Sequence, residues 1–233
     1  MNDMTTDIQQ GIVRHLIKSV VLIVIFGGLI FVSAGDWSWS GGWTYLALVV
    51  ANFVVASVIL IPTQPELLAR RSEIGAGTPQ WDRYLAPIVG WAPLYIGVIS
   101  GVAYRFTGGE EGSIVIRVIA GLVVIGSNLL TIWTMVHNPY FEATVRIQSD
   151  EGHRVAAGGP YRWVRHPGYL SSLLLSLPAP LIYGTSWGYI GVAILAGAVL
   201  SRTLLEDRFL RENLDGYAEY ARRTRRRLVP GVW

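Results

Sequence analysis

The stretch VIAGLVVIGSNLLTIWTMVHN, residues 118 to 138, contains no Asp, Glu, Lys or Arg. A helix of about 20 apolar residues crosses the roughly 30 Å of hydrocarbon in a bilayer. A stretch of this length and composition therefore predicts a transmembrane helix. The whole chain fits this interpretation, because 52% of its 233 residues are hydrophobic and only 15% are charged, which is unlike an ordinary soluble domain.

Three more uncharged stretches predict full spans, namely Ser19–Gly35, Gly41–Pro65 and Tyr84–Tyr104. Two further apolar stretches, Tyr169–Tyr183 and Trp187–Ser201, have 15 residues each and are short for a span. Two prolines interrupt the first of them, and proline breaks the hydrogen-bond ladder of a helix. We therefore predict an all-α integral membrane protein with four full transmembrane helices and a C-terminal helical hairpin.

The cations are distributed unevenly around these spans. Lys and Arg close to membrane spans are retained on the cytosolic side. Of the 19 Lys and Arg residues, 17 lie before the first span, in the loops 62–83 and 139–168, or after Leu200, and Arg105 and Arg117 lie elsewhere. This split predicts a multi-pass protein with both termini in the cytosol, as in the inner membrane of a bacterial cell. Topology also accounts for the sequence pI of about 9.3, so we expect contact with anionic lipid and no nucleic-acid partner.

The N-terminus offers one alternative. Arg14 and Lys18 precede an apolar stretch that ends near VSA, residues 32 to 34, in the manner of a cleaved signal peptide. The apolar stretch is long for a signal peptide and the charges lie far from the start of the chain. We expect a retained membrane helix.

The chemistry available to the chain is that of oxygen and nitrogen groups. It has no cysteine, which excludes disulfides, iron–sulfur clusters and thiolate zinc sites. The histidines at 137, 153 and 166 lack a compact ligand spacing, and we expect no metal site.

Polar content changes abruptly after Val136. The first four spans are almost free of ionisable residues, which argues against an ion path and against a transporter. Asn52 and Asn128 are polar residues inside these apolar spans. Each could make an interhelical hydrogen bond or line the path of a ligand. We divide the chain into a helical scaffold, residues 1–136, and a functional region, residues 137–233.

The loop GGPYRWVRHPGY, residues 158 to 169, combines two arginines and a histidine with three aromatic rings at the mouth of an apolar stretch. Its Gly-Gly-Pro start predicts a turn, and Pro167 suits the first turn of the following helix. The free N–H groups of such a helix start favour an anionic group of a ligand.

A second polar group lies where the last apolar stretch ends. Arg202 and Glu206 are four residues apart and share one helix face, so they form either a mutual salt bridge at the helix exit or part of a site. Asp207 points about 100° away from that face.

Together these motifs resemble the isoprenylcysteine carboxyl methyltransferase family and its phospholipid methyltransferase relatives. The resemblance covers residues 135 to 233. The resemblance rests on these sequence features: GPYR, RHPGY, the short hairpin, the charged residues after it, the Y..Y..R pattern from 217 to 223, and RLVPGVW.

The resemblance implies an S-adenosylmethionine site on the cytosolic side and a lipophilic acceptor held at the membrane. The residues that correspond to the family's cofactor site are Gln148, His153, Arg154, Val155, Ala156, Tyr161, His166, Pro167, Gly168, Tyr169 and Glu206. Arg202 corresponds to the arginine that grips the substrate, and Arg202 with Glu206 forms the expected catalytic pair. Ala156 replaces a larger aliphatic residue, and Gln148 is offset from the family's glutamine.

Three kinds of acceptor stay open at this point. A carboxylate of an isoprenylcysteine-like molecule is already ionised at neutral pH and needs no base, and Arg202 could hold it with two parallel hydrogen bonds. A phospholipid amine or a small thiol needs a base, for which His166 and Glu206 are the candidates.

Two alternatives come from other functional classes. The protein could be an NADPH-dependent lipid or sterol reductase, or a non-catalytic membrane scaffold.

Overall fold

The computed structural model describes residues 2–70, 77–109, 113–148, 152–229, 231 and 233, with side chains from Thr6 onward. Over these residues the chain forms α-helices and a 3₁₀ turn at Gly159–Arg162, with no β-strand. The all-α class is therefore confirmed. The helices are α1 (Asn2–Ala34), α2 (Ser40–Thr63), α3 (Pro65–Arg70), α4 (Gln80–Gly90), α5 (Ala92–Thr107), α6 (Ile114–Val136), α7 (Pro167–Ser176), α8 (Ala179–Tyr183), α9 (Gly188–Asn213) and α10 (Tyr217–Arg223).

Within the described part of the chain, α1, α2, α6 and α9 are long and apolar enough to cross a membrane. The first three carry stretches that the sequence predicts as full spans. The fourth, α9, has 26 residues and contains both the second apolar arm of the predicted hairpin and the face that Arg202 shares with Glu206. It continues past Ser201 since Arg, Leu and Glu, which follow, are all strong helix formers.

The predicted span Tyr84–Tyr104 is not one straight helix. The chain bends by 47° between α4 and α5, at Trp91. Pro87 lies inside α4 and Pro93 lies in the first turn of α5. A proline has no N–H and its ring crowds the preceding turn, so a continuous helix through this segment loses backbone bonds that the bend avoids. If the pair counts as one broken span, the described residues contain five candidate spans.

The first arm of the hairpin is also divided. Its helix stops at Ser176, and a second short helix, α8, begins after Pro178. Gly184 then ends α8 in the left-handed conformation, with a φ of 72°. The arm therefore consists of two helices that turn the chain toward α9, as the two prolines indicate.

The tip of this hairpin lies at the end of the bundle that carries the α1–α2 turn. The Trp39 indole donates to the Tyr183 carbonyl at 3.1 Å, and a Cβ on Gly41 would lie 2.7 Å from that same carbonyl oxygen. The Arg105 guanidinium approaches Gly35 at this end. The hairpin therefore runs the length of the bundle, away from the loop that begins at Gly158.

A glycine and an interhelical hydrogen bond bring neighbouring helices of the bundle together. A Cβ on Gly97 of α5 would lie 2.7 Å from the Ile30 side chain of α1. Such close approach is typical of membrane helices, where packing rather than water expulsion drives association. The Asn128 side chain donates to the Asn52 carbonyl at 3.4 Å, which is the interhelical hydrogen bond considered from the sequence.

Candidate active site

The loop that enters α7 has the local structure that its sequence predicts. Gly159 opens the 3₁₀ turn with a φ of +52°, and a Cβ there would meet the His137 ring at 2.6 Å. α7 begins at Pro167, as expected for a proline in the first turn. A Cβ on Gly168 would collide with the Phe141 ring. Glycine is therefore required at two points where this loop packs against the segment after α6.

A cavity of about 990 Å³ lies between this loop and the helices α4, α5, α7, α9 and α10. Its volume is at the upper end of the range for small-molecule sites. At the loop end it is polar and aromatic, whereas Trp91, Leu175 and Leu195 line it at the level of the apolar helices. The residues of the predicted site that line it are His153, Val155, Ala156, Tyr161, His166, Gly168, Tyr169, Arg202 and Glu206.

Three predicted site residues lie outside the lining of this cavity. The Gln148 side chain is buried and donates to the Tyr140 carbonyl at 3.2 Å. Arg154 is exposed and lines a neighbouring cavity of about 560 Å³, which shares His153 with the larger one. Pro167 is buried and starts α7. These three residues shape or flank the site rather than face it.

Glu206 and Tyr169 are joined by a hydrogen bond. The Tyr169 hydroxyl donates to Glu206 Oε2, and the other oxygen, Oε1, lies 3.9 Å from His166 Nδ1. The Glu206 side chain is 20% exposed, and no guanidinium of the described residues bonds to it. Its negative charge is therefore available to a cationic ligand in the cavity.

Arg202 pairs with Asp82 rather than with Glu206, so the mutual salt bridge considered from the sequence is wrong. Arg202 Nε donates to Asp82 Oδ1 at 2.7 Å, and Nη2 donates to Oδ2 at 3.1 Å. Nη2 also donates to the Ala143 carbonyl at 3.1 Å. Nε and Nη2 are therefore occupied, and Nη1 is the nitrogen without a hydrogen-bond partner among the described residues. The predicted grip on an acceptor carboxylate by two parallel bonds is corrected to a grip through Nη1.

Asp207 is the centre of a buried ion cluster that sequence reasoning missed. It accepts from Arg165 at 2.6 and 3.0 Å, from the Tyr217 hydroxyl at 3.0 Å, and more distantly from Arg211 and Arg227. From the sequence, Asp207 was expected to point about 100° away from the face of Arg202 and Glu206. That direction could have indicated that Asp207 has partners other than Arg202 and Glu206. This cluster joins α9 to the loop that contains His166.

Arg165 also holds the C-terminal segment. Its Nη1 donates to the carbonyls of Thr224 and Arg225, both at 2.9 Å. The backbone N–H groups of Arg165 and His166 donate to the carbonyls of Arg226 and Arg227, also at 2.9 Å. The segment 224–227, which contains three arginines, therefore supports the site through its backbone.

Aromatic side chains form the wall of the cavity near α10. The Tyr161 hydroxyl accepts from the Asn138 amide at 2.8 Å, and the Tyr220 hydroxyl donates to the Tyr161 carbonyl at 2.8 Å. Burial raises the pKa of Tyr161 above its ordinary value, so this phenol is neutral at physiological pH. Tyr161 and Tyr220 offer ring surface for a planar or cationic ligand.

His153 is held as a neutral imidazole. Its ring stacks on Tyr140 with centroids 4.3 Å apart, and its Nδ1 accepts from the Gln148 backbone N–H at 3.3 Å. Burial lowers the pKa of His153, nearby Glu142 opposes that shift, and Arg146 adds to it. Nδ1 serves as an acceptor, so the proton of the neutral ring is on Nε2.

Comparison with known proteins finds a family model that matches part of this region. Residues 119–214 match the model of the isoprenylcysteine carboxyl methyltransferase (ICMT) family. No curated protein matches the chain. The match begins within α6 and ends one residue after α9, so it covers the 3₁₀ turn, α7, α8 and α9. The resemblance seen in the motifs is confirmed, and the family is one of methyltransferases.

Proposed function

We propose that the protein is an integral membrane methyltransferase that uses S-adenosylmethionine to methylate a lipophilic acceptor. The observation that carries this proposal is that one cavity, of about 990 Å³, joins polar and aromatic residues at the loop end to apolar residues between the helices. A water-soluble donor and a lipid-soluble acceptor need this combination of surfaces. The family match supports the reaction type.

The residues at the loop end suit the chemistry of the donor. Bound there, S-adenosylmethionine supplies a methyl group activated by its sulfonium. Glu206 carries a negative charge toward the cavity and suits an ammonium or a hydroxyl group. The rings of Tyr161 and Tyr169 suit adenine or a cationic sulfur. His166 lines the same cavity and lies between the two acids, with Nδ1 3.9 Å from Glu206 Oε1 and Nε2 3.6 Å from Asp207 Oδ1.

The acceptor that this site suits best is a carboxylate of an isoprenylcysteine-like molecule. A carboxylate is ionised at neutral pH and needs no general base. Arg202 Nη1 supplies one charge-assisted hydrogen bond to it, and the Tyr169 ring lies against the guanidinium, with Cζ 5.2 Å from the ring centroid. The apolar walls around Trp91 and Leu195 accommodate the hydrocarbon part.

The chain's own contribution to catalysis is therefore orientation and exclusion of water. Arg202 and His166 are both about 95% buried, and their neighbours hold them in fixed positions. Alignment of two bound reactants supplies a large part of an enzyme's rate enhancement. An amine or thiol acceptor needs in addition a group that removes a proton, for which His166 and Glu206 are placed beside the cavity.

A panel of acceptors tests this proposal. Purified protein is incubated with methyl-labelled S-adenosylmethionine and with an S-farnesylated N-acetylcysteine, a phospholipid amine or an alkyl thiol. We expect label in the farnesylated acid, as a methyl ester that base releases as methanol. Label in the amine or thiol would change the acceptor class but keep the reaction. No transfer to any of them, together with protection by NADPH, would support a reductase.

A further inference from the structure

Asp82 is a fully buried carboxylate in the first turn of α4. It accepts two hydrogen bonds from Arg202, at 2.7 and 3.1 Å, and a third from the Val145 backbone N–H at 2.6 Å. This one side chain therefore joins α4, the segment after α6, and α9. It precedes the segment that matches the ICMT family, which begins at residue 119.

These contacts determine which part of the Arg202 guanidinium is free. Asp82 takes the Nε hydrogen and one Nη2 hydrogen, and the Ala143 carbonyl takes the other Nη2 hydrogen. Nη1 has no hydrogen-bond partner among the described residues, while Arg202 itself lines the cavity. The guanidinium plane is further restrained by the Tyr169 ring, 5.2 Å away.

We propose that Asp82 is a positioning residue that fixes Arg202 so that Nη1 faces the acceptor carboxylate. This inference rests on the proposed carboxylate methylation. Asp82 does not line the cavity and acts through Arg202. The consequence is selectivity. A fixed Nη1 prefers an anionic acceptor to its uncharged counterpart, because the carboxylate adds attraction between two opposite charges to the hydrogen bond that both acceptors can accept.

A purely structural role for this ion pair has different consequences. A buried pair can hold two helices together without contributing to a site, and its loss then lowers the stability of the fold. In that case the removal of Asp82 weakens binding of charged and uncharged acceptors alike. The ratio of the two affinities therefore separates positioning from helix packing.

The experiment measures the affinity of protein saturated with S-adenosylhomocysteine for two probes, S-farnesylated N-acetylcysteine and its carboxamide. We expect wild type to bind the carboxylate at least about 10-fold more tightly. Asp82→Asn should reduce this ratio to within about threefold of unity, with S-adenosylhomocysteine affinity within about threefold of wild type. Asp82→Glu keeps a carboxylate and should retain a higher ratio than Asp82→Asn. Glu212→Gln removes an exposed paired acid of α9 and is the matched control.

A second variant keeps the test valid if Asp82→Asn does not fold. Arg202→Lys retains a cation for Asp82 but has one nitrogen rather than three, so it should fold and lose the preference for the carboxylate. Full preference in Arg202→Lys, or equal weakening of both probes in Asp82→Asn, would overturn the proposal. If wild type binds S-adenosylhomocysteine but does not prefer the carboxylate, positioning for a carboxylate is wrong while the methyltransferase proposal stands. If wild type does not bind S-adenosylhomocysteine, the proposed function itself is wrong.

Discussion

Arg165 and Asp207 form a buried ion pair with two hydrogen bonds, Nε to Oδ1 at 2.6 Å and Nη2 to Oδ2 at 3.0 Å. Both side chains are 3% exposed. The pair fixes the loop before α7 against α9, so it determines where His166 and Glu206 lie relative to each other. The geometry of the candidate site therefore depends on the Asp207 carboxylate, which does not face the proposed ligands.

Asp207→Asn should destabilise the protein strongly. It leaves the Arg165 guanidinium buried with a weakened partner, and breaking a buried pair costs about 3–5 kcal/mol. Thermal unfolding of the detergent-solubilised variant measures this loss. Glu212→Gln, which removes an exposed partner of Arg208, should change stability by less than about 1 kcal/mol. A stability of Asp207→Asn equal to that of the control would mean that the cluster does not hold the loop.

Arg202 and Glu206 should differ in their effects on cofactor binding. Glu206→Ala removes the charge that we assign to the cofactor, and loss of a partner of a desolvated charge costs about 2–5 kcal/mol, a factor of roughly 30 to several thousand in affinity. Arg202→Ala should leave cofactor affinity largely unchanged and lower turnover. Calorimetry with S-adenosylhomocysteine and a methyl-transfer assay measure the two effects. Near-normal binding and turnover in both variants would end the assignment of this site.

The pKa of His153 predicts a dependence of stability on pH. Burial lowers this pKa below the ordinary value of 6.5, so the unfolded chain takes up the proton more readily than the folded chain. The free energy of unfolding should therefore be highest above about pH 6.5 and should fall as the pH decreases from 6.5 toward the lowered pKa. His153→Gln should reduce this slope in pH-dependent thermal unfolding. An unchanged slope would show that His153 is not its source.

The distribution of cations predicts the topology. A reporter after Trp233 and another at Gly75, which lies outside the described residues, should report the cytosol, and one at Gly109 should report the far side. In the structure Gly109 lies close to Tyr104 and Gly184 at the hairpin tip, whereas Arg165 and Arg202 lie at the other end, so the two reporters test opposite ends of the bundle. A far-side C-terminus would separate the cofactor site from its cytosolic supply.

Much of the fold follows from local properties of the sequence. The spans around α1, α2 and α6 follow from uncharged length alone, and the start of α7 follows from Pro167. The bend at Trp91 could be suspected from Pro87 and Pro93, yet proline inside a membrane span is often tolerated, so composition alone favours one helix. The apolar stretch that ends at Ser201 covers only part of α9, because apolar length marks only the part of a helix inside the bilayer.

Candidate site residues that belong to one motif come together in the structure, whereas partners that are distant in sequence were missed. His166, Tyr169 and Glu206 do line one cavity. The partner of Arg202 could not be found, because Asp82 is 120 residues away and helix spacing favours Glu206 at four residues. Only tertiary packing brings α4 beside α9 and gives Arg202 a buried carboxylate.

The most direct measurement is calorimetric titration of the purified, detergent-solubilised protein with S-adenosylhomocysteine and, separately, with NADPH. The proposed function predicts saturable binding of S-adenosylhomocysteine, an increase in the unfolding temperature at saturating ligand, and neither effect with NADPH. Glu206→Ala should lose the binding and Glu212→Gln should keep it. Absence of heat and of thermal stabilisation with millimolar S-adenosylhomocysteine, combined with stabilisation by NADPH, would contradict the account and support a membrane reductase.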